Sequence, residues 1–179
     1  LTSTTKYYDV EIPERPQLTE PWKSGGIVHD WGGGTPRLVV LGSSHALMYG
    51  KLIDDVCKQL GISVAFLSAD ATQVFFPTKA GERFPTPALA QSFDFERRKW
   101  IGKWKPDAVL VVDRWDAYEP AELDRKLHDL VGELVLNTRS VILFTQVPAL
   151  RLGDTVNLRE YVTWYFKRFG RLPDIMPDA

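Results

Sequence analysis

One cysteine and three histidines are all that this 179-residue sequence has of thiol and imidazole side chains. The lone Cys57 excludes an intramolecular disulfide and any cysteine-cluster metal site, and its place in an amphipathic pattern reads as a small apolar side chain. No metal or cofactor is expected. Charge of one sign is never concentrated: 22 Lys and Arg against 23 Asp and Glu give a net charge of -1, which points away from nucleic acid and anionic membrane as partners. Long apolar runs are missing too. "LVVLG" and "AVLVV" have strand length, far short of the roughly 20 residues a membrane helix needs, so no transmembrane segment is expected here. Nor is there a charged start followed by an apolar run; a chain beginning at Leu1 is expected to be processed or excised from a longer one.

What is present fits one globular domain, with 44% hydrophobic and 25% charged residues. Residues 1–36 carry "IPERP", "TEPW", "SGG" and "WGGGTP", punctuated by Pro and Gly without a sustained period. They read as an extended arm or linker leading into a domain at 37–179. From Arg37 onward strands and helices alternate: "RLVVL", a helix from about Ala46 to Leu60, "SVAFL", a helix across "ALAQSFDFERRKWIGKW", "DAVLVV", a helix across "AELDRKLHDLVGELVLN", "SVILFTQ", and a last helix from about Leu158 to Phe169. Met48, Leu52, Val56 and Leu60 stand four apart and predict the buried face of the first helix, as Leu123, Leu127, Val131 and Leu134 do for the third. Gly61 is a left-handed stop, and "NLRE" gives the last helix Asn157 as cap with Glu160 three residues on. Its Leu158, Tyr161, Val162, Tyr165 and Phe169 share a face expected in the core. Strands that are apolar throughout, each followed by a helix, predict an α/β fold with a mostly parallel sheet covered on both faces.

In such a sheet ligands bind beyond the carboxyl ends of the strands, which is where "GSSH" falls. Gly42 permits a tight strand-to-helix turn, and free N–H groups beyond it can face an oxyanion near Ser44 Oγ. A serine here is an ordinary helix cap, contributing about 1 kcal/mol, and the residues alone favour that reading of Ser44 over a nucleophile.

The block "VVLGSSHALMYGKLIDDVCKQLG" resembles the first block of SGNH hydrolases, written G-D-S, and is most similar to the G-D-S-H-A form of SGNH domains fused to acyltransferase-3 membrane proteins. Ser44 aligns with the nucleophile, His45 and Ala46 complete the pattern, and Ser43 stands where the family has Asp. "SVAFLSADATQVFF", "KPDAVLVVDRWDAY" and "SVILFTQVPAL" match later blocks in order and character, so the resemblance spans about residues 37–150. It implies a three-layer flavodoxin-like fold and a domain on the extracytoplasmic side, which moves acetyl groups on cell-surface carbohydrate through an acyl-serine. The partners it implies are an acyl donor, a carbohydrate acceptor and a fused or associated membrane acyltransferase. The second oxyanion amide would come from "SADAT", where Ala69 or Ala71 replaces the family's Gly. The third-block Asn is missing from "VVDRWD", leaving Arg114 or Trp115 in its place.

The family's base is the His of a D-x-x-H block. None of His29, His45 and His128 follows an Asp by three residues, since Gly26, Gly42 and Arg125 hold those positions. The base is therefore expected downstream of Ala179. His45 adjoins Ser44, but successive helical side chains diverge by about 100°, which favours a structural role. His128 lies on a solvated helix edge. His29, in "IVHDWGGG", is the candidate replacement base, on a segment that could fold back across the strand ends. Phe75 and Phe76 could bound an acyl or sugar pocket, although burial under the loop is the favoured reading; Asp113 and Asp116 could bind sugar hydroxyls or a cation, two carboxylates being too few to argue for metal; and Trp100 and Trp104 are expected to cover the sheet. Beside the O-acetyltransferase or esterase reading stand a non-catalytic carbohydrate- or partner-binding domain on the same fold and a flavodoxin-like phosphate binder using the "GSSH" turn.

Overall fold

A computed structural model describes residues 20–31, 34–81, 84–144, 151–152, 156–157 and 166–171, and of 27–31, 151–152 and 156–157 it describes the backbone. Residues 1–145 and 146–179 form two compact units. The first holds a five-stranded sheet in the order β1-β3-β2-β4-β5, with β1 Ile27–Trp31, β2 Leu38–Gly42, β3 Val64–Ser68, β4 Ala108–Val112 and β5 Ser140–Leu143. The four strands from β2 to β5 are parallel, as their apolar runs predict. β1 is antiparallel to β3 at the edge of the sheet, with Trp31 opposite Val64. The segment read as an arm thus contributes a strand, closing an edge of β3 that would otherwise leave its N–H and C=O groups unpaired.

Alternation along the strands builds two cores. Val40, Val64, Phe66, Leu110 and Val112 face one way, against Ala46, Leu47, Ile53 and Cys57. Those four come from the helices α1 Ser44–Met48 and α2 Gly50–Leu60. Val39, Leu41, Leu67, Val109 and Val111 face the other way, against Ile101 of α3 Pro87–Trp104 and Leu130 and Leu134 of α4 Pro120–Leu134. Each of those five strand residues is fully buried, a contribution of about 1.5–3 kcal/mol per side chain. Trp100 and Trp104 stack at 4.9 Å and pack on this second core, as their spacing predicts. Leu123 and Leu127 join it from α4.

Two helical expectations are corrected. The helix after β2 is broken at Tyr49 into α1 and α2, and α2 does end at a left-handed Gly61, φ 64°. The stripe Met48, Leu52, Val56 and Leu60 faces outward, 45%, 57%, 44% and 65% exposed, while Ile53, Cys57 and Asp54 face the sheet. Apolar residues thus stand on both the inner and the outer side of this helix, and the regular four-residue spacing falls on the outer one.

The second unit contains a two-stranded antiparallel pair, β6 Arg151–Leu152 and β7 Val156–Asn157, and a helical turn at 166–169. Asn157, expected as a helix cap, pairs with Arg151 in β7. The rest of the expected last helix, 158–165, lies outside the described residues.

Candidate active site

β2 is the central strand of the sheet, and the connections beyond its carboxyl end part company. The chain leaving β2 turns into α1 and α2 on the first core, whereas Val74 and Phe75 after β3, and α4 after β4, join the second. A crevice opens at such a switch of faces. The turn Gly42-Ser43-Ser44 and the loops 69–78 and 113–119 leave the sheet at this same end.

The turn is tight because of Gly42. A Cβ there would collide with Ala46 Cβ and with the Val112 carbonyl, so only glycine lets α1 fold back this closely on β4. Ser43 N–H holds the Val112 carbonyl at 3.3 Å. Ser43, not Ser44, is the helix cap: it is extended, buried, and its Oγ accepts the His45 N–H at 3.4 Å. Ser44 is the first helical residue, half-buried, and free of the capping duty assigned to it from the sequence. As a first-turn amide, the Ser44 N–H has no carbonyl of its own helix to meet.

At the same end, the turn after β3 is held by Thr72 Oγ1, which donates to the Ala69 carbonyl at 2.7 Å. Ala69 is fully buried, and Ala71 takes the left-handed conformation, φ 53°. That conformation costs about 1–2 kcal/mol for a residue with a Cβ, so of the two alanines Ala71 is the one standing where the backbone favours glycine.

The loop after β4 is organised by Asp113, which is 4% exposed. Its Oδ2 accepts the Val74 N–H at 3.0 Å and the Tyr118 hydroxyl at 2.8 Å, and its Oδ1 accepts the Arg114 N–H at 2.8 Å. Expected to meet sugar hydroxyls, Asp113 instead fastens the two loops together. Burial, and then the Asp113 charge, push the Tyr118 hydroxyl far above the usual tyrosine range. Trp115 donates its indole N–H to the Phe144 carbonyl at 2.7 Å, which ties this loop to the end of β5. Arg114 is exposed, with Nε 3.2 Å from Asp116.

Phe75, a candidate to line a pocket, is 2% exposed. It packs edge-on against Tyr118 at 5.1 Å and against Trp115 at 6.3 Å, so it supports the loops from beneath. His29 stands in β1 opposite Phe66, which is level with Val40 of β2. Two strand spacings, about 4.8 Å each, and a register four residues short of Ser44 separate its backbone from that of Ser44. The structure does not bring them together. His128 is exposed on α4, as expected.

Sequence reasoning missed the buried pair beside the site. Asp94 takes the Thr78 N–H at 2.7 Å and the Thr78 hydroxyl at 2.6 Å, and Arg97, fully buried, reaches Asp94 at 2.7 Å and Thr78 Oγ1 at 2.9 Å. The guanidinium lies over the Phe93 and Phe76 rings at 4.2 and 4.5 Å. It anchors the loop that returns from the crevice to α3. The available signal was an Asp and an Arg three apart on a helix, the Asp flanked by Phe93 and Phe95.

A mostly parallel α/β sheet covered by helices, with β1 antiparallel at its edge, defines the fold class. The chain belongs to the family described as the SGNH domain fused to AT3 domains, whose family model matches residues 16–177. Among solved structures it is similar to the periplasmic domain of the lipopolysaccharide acetyltransferase of Salmonella ser. Paratyphi A, with a TM-score of 0.57 and 12% identity. That match covers 79% of this chain and 55% of the other, so this chain spans about half the length of the neighbour, and at that identity the likeness is one of fold. No curated protein matches the chain. Among the described residues no helix is long and apolar enough to cross a membrane.

Proposed function

We propose that this chain is the acyl-transfer domain of an O-acetyltransferase or acetylesterase that acts on cell-surface carbohydrate on the extracytoplasmic side, with Ser44 as nucleophile. The observation that carries the reading is the half-buried Ser44 at the switch of faces, with the cap role taken by Ser43. The family's fusion to AT3 domains and a neighbour named as a periplasmic lipopolysaccharide acetyltransferase domain support the compartment and the class of acceptor.

Ser44 Oγ attacks the acetyl carbonyl carbon, and the bond to the donor breaks to leave an acetyl-serine. The oxyanion faces the Ser44 N–H and an amide of the turn 69–72, donors fixed in place before the charge develops. A sugar hydroxyl or water then attacks the acetyl-serine carbonyl and releases Ser44. The proton passes through an imidazole in the family's mechanism, the His of D-x-x-H, a pattern in which none of this sequence's three histidines stands.

The test is turnover by the full-length gene product: acetyl transfer to alkali-deacetylated surface polysaccharide, and hydrolysis of a chromogenic acetyl ester. Ser44→Ala is expected to lower kcat/KM by about 10³-fold or more. Equal activity in Ser44→Ala would overturn the reading. Polysaccharide binding without turnover in the wild type would establish the non-catalytic binding domain instead.

A further inference from the structure

Val74, in the loop that follows β3, is gripped at both of its backbone polar groups by buried charged side chains. Asp113 Oδ2 accepts its N–H at 3.0 Å, and Arg97 Nη1 donates to its carbonyl at 3.3 Å. Asp113 is nearly closed to solvent, and Val74 and Arg97 are fully buried. Asp113 also accepts the Arg114 N–H on Oδ1 and the Tyr118 hydroxyl on Oδ2, each at 2.8 Å.

The turn of Ser44 is tied to the same residue. The Val112 carbonyl, joined to Asp113 by the peptide bond, accepts the Ser43 N–H at 3.3 Å. Gly42 is level with Val112 on one side and with Ser68 on the other. Residues of α1, which Ser44 opens, lie within 8 Å of β3 and of β4, Cα to Cα. The turn 69–72 begins at the residue after Ser68 and runs on to Val74. Two hydrogen bonds, Ser43 to the Val112 carbonyl and Val74 to the Asp113 carboxylate, thus link the Ser44 turn to the loop after β3.

Holding that loop down does not by itself call for charge. A buried charge loses hydration that well-packed apolar residues of similar volume do not lose. What the carboxylate adds is direction, because each of its bonds fixes a donor in both distance and angle. We infer that Asp113 is a positioning residue: it holds the turn 69–72 against the turn of Ser44, so that an amide of the first and the Ser44 N–H reach one oxyanion. The inference rests on the proposed acyl-transfer function. Asp113 touches no substrate and takes no proton; it acts through Val74 on one side and Val112 on the other. A displaced oxyanion donor loses most where charge has developed, in the transition state, and less in the ground state. The loss therefore falls on kcat more than on KM.

Hydrolysis of a chromogenic acetyl ester by the full-length protein tests this, with kcat expressed per site titrated to completion by a fluorophosphonate, so that unfolded protein is not counted. Asp113→Ala is expected to lower kcat by about 10²-fold, and Asp113→Asn, which keeps one acceptor oxygen, by about tenfold, both with KM within about twofold of wild type. Tyr118→Phe, which takes one donor from the carboxylate and keeps the ring, is expected to fold and to lower kcat about threefold. Wild-type kcat per site in the folded variants, or a raised KM with kcat unchanged, would overturn the role of Asp113. Where neither Asp113 variant folds, the kcat of Tyr118→Phe decides alone. A wild type that neither hydrolyses the ester nor takes the phosphonate would reject the acyl-transfer function itself, and the inference with it.

Discussion

The Tyr118 hydroxyl donates to Asp113 Oδ2 at 2.8 Å, on the same oxygen that accepts the Val74 N–H at 3.0 Å. One buried carboxylate thereby joins the loop after β3 to the loop after β4. Both loops leave the sheet at the same end as the turn that carries Ser44, so their arrangement there depends on a bond made by a buried side chain.

That bond makes stability depend on alkaline pH. Tyr118 is held protonated in the fold, by burial first and Asp113 second, while an unfolded tyrosine ionises near pH 10. With the folded value raised, the contribution is complete below about pH 10 and is lost as the pH climbs towards the folded value. Tyr118→Phe is expected to cost about 1 kcal/mol at pH 7, and to show a shallower loss of stability between about pH 10 and 12. Urea melts across that range would read both effects; parallel curves for the two proteins would contradict them.

The Asp94–Arg97 pair is a second point of vulnerability. Burial lowers the Arg97 guanidinium to about 10, against the opposing attraction of Asp94. Asp94→Ala would strand that charge among the Phe76 and Phe93 rings. A loss of about 3–5 kcal/mol is expected. Exposed pairs such as Lys51–Asp55 are worth about 0.2–1 kcal/mol each. Comparing Asp94→Ala with Asp55→Ala in chemical denaturation separates the two cases.

Gly42→Ala probes the turn itself. The added methyl meets Ala46 Cβ and the Val112 carbonyl, and the strain is expected to cost about 1–3 kcal/mol. Because relief requires α1 to move away from β4, the reactivity of Ser44 should fall as well. Ser43→Ala, which removes only a cap, should cost about 1 kcal/mol and leave the reactivity closer to wild type.

The sheet was legible because β2 to β4 are buried on both faces and so read as unbroken apolar runs. β1 was not, since "IVHDW" is short, mixed in polarity and set among glycines; its pairing comes from the neighbouring strand. The face of α2 was misread because spacing alone does not tell an inner apolar strip from an outer one, and the inner strip includes Asp54 and Gly50. At the site, the place of Ser44 followed from the strand–turn–helix pattern and the family block. Division of labour with Ser43 did not, because either serine can cap and the choice depends on where the helix begins. Asp113 and Phe75 were placed correctly along the chain, but their inward orientation depends on Val74 and Tyr118, partners remote in sequence or across a turn.

Phosphonylation of the full-length protein with a fluorophosphonate, mapped by peptide mass, tests the central claim most directly. The account predicts one adduct, on Ser44, retained in Ser43→Ala and lost in Ser44→Ala. A folded wild type that takes up no phosphonate, or an adduct that persists in Ser44→Ala, would contradict it.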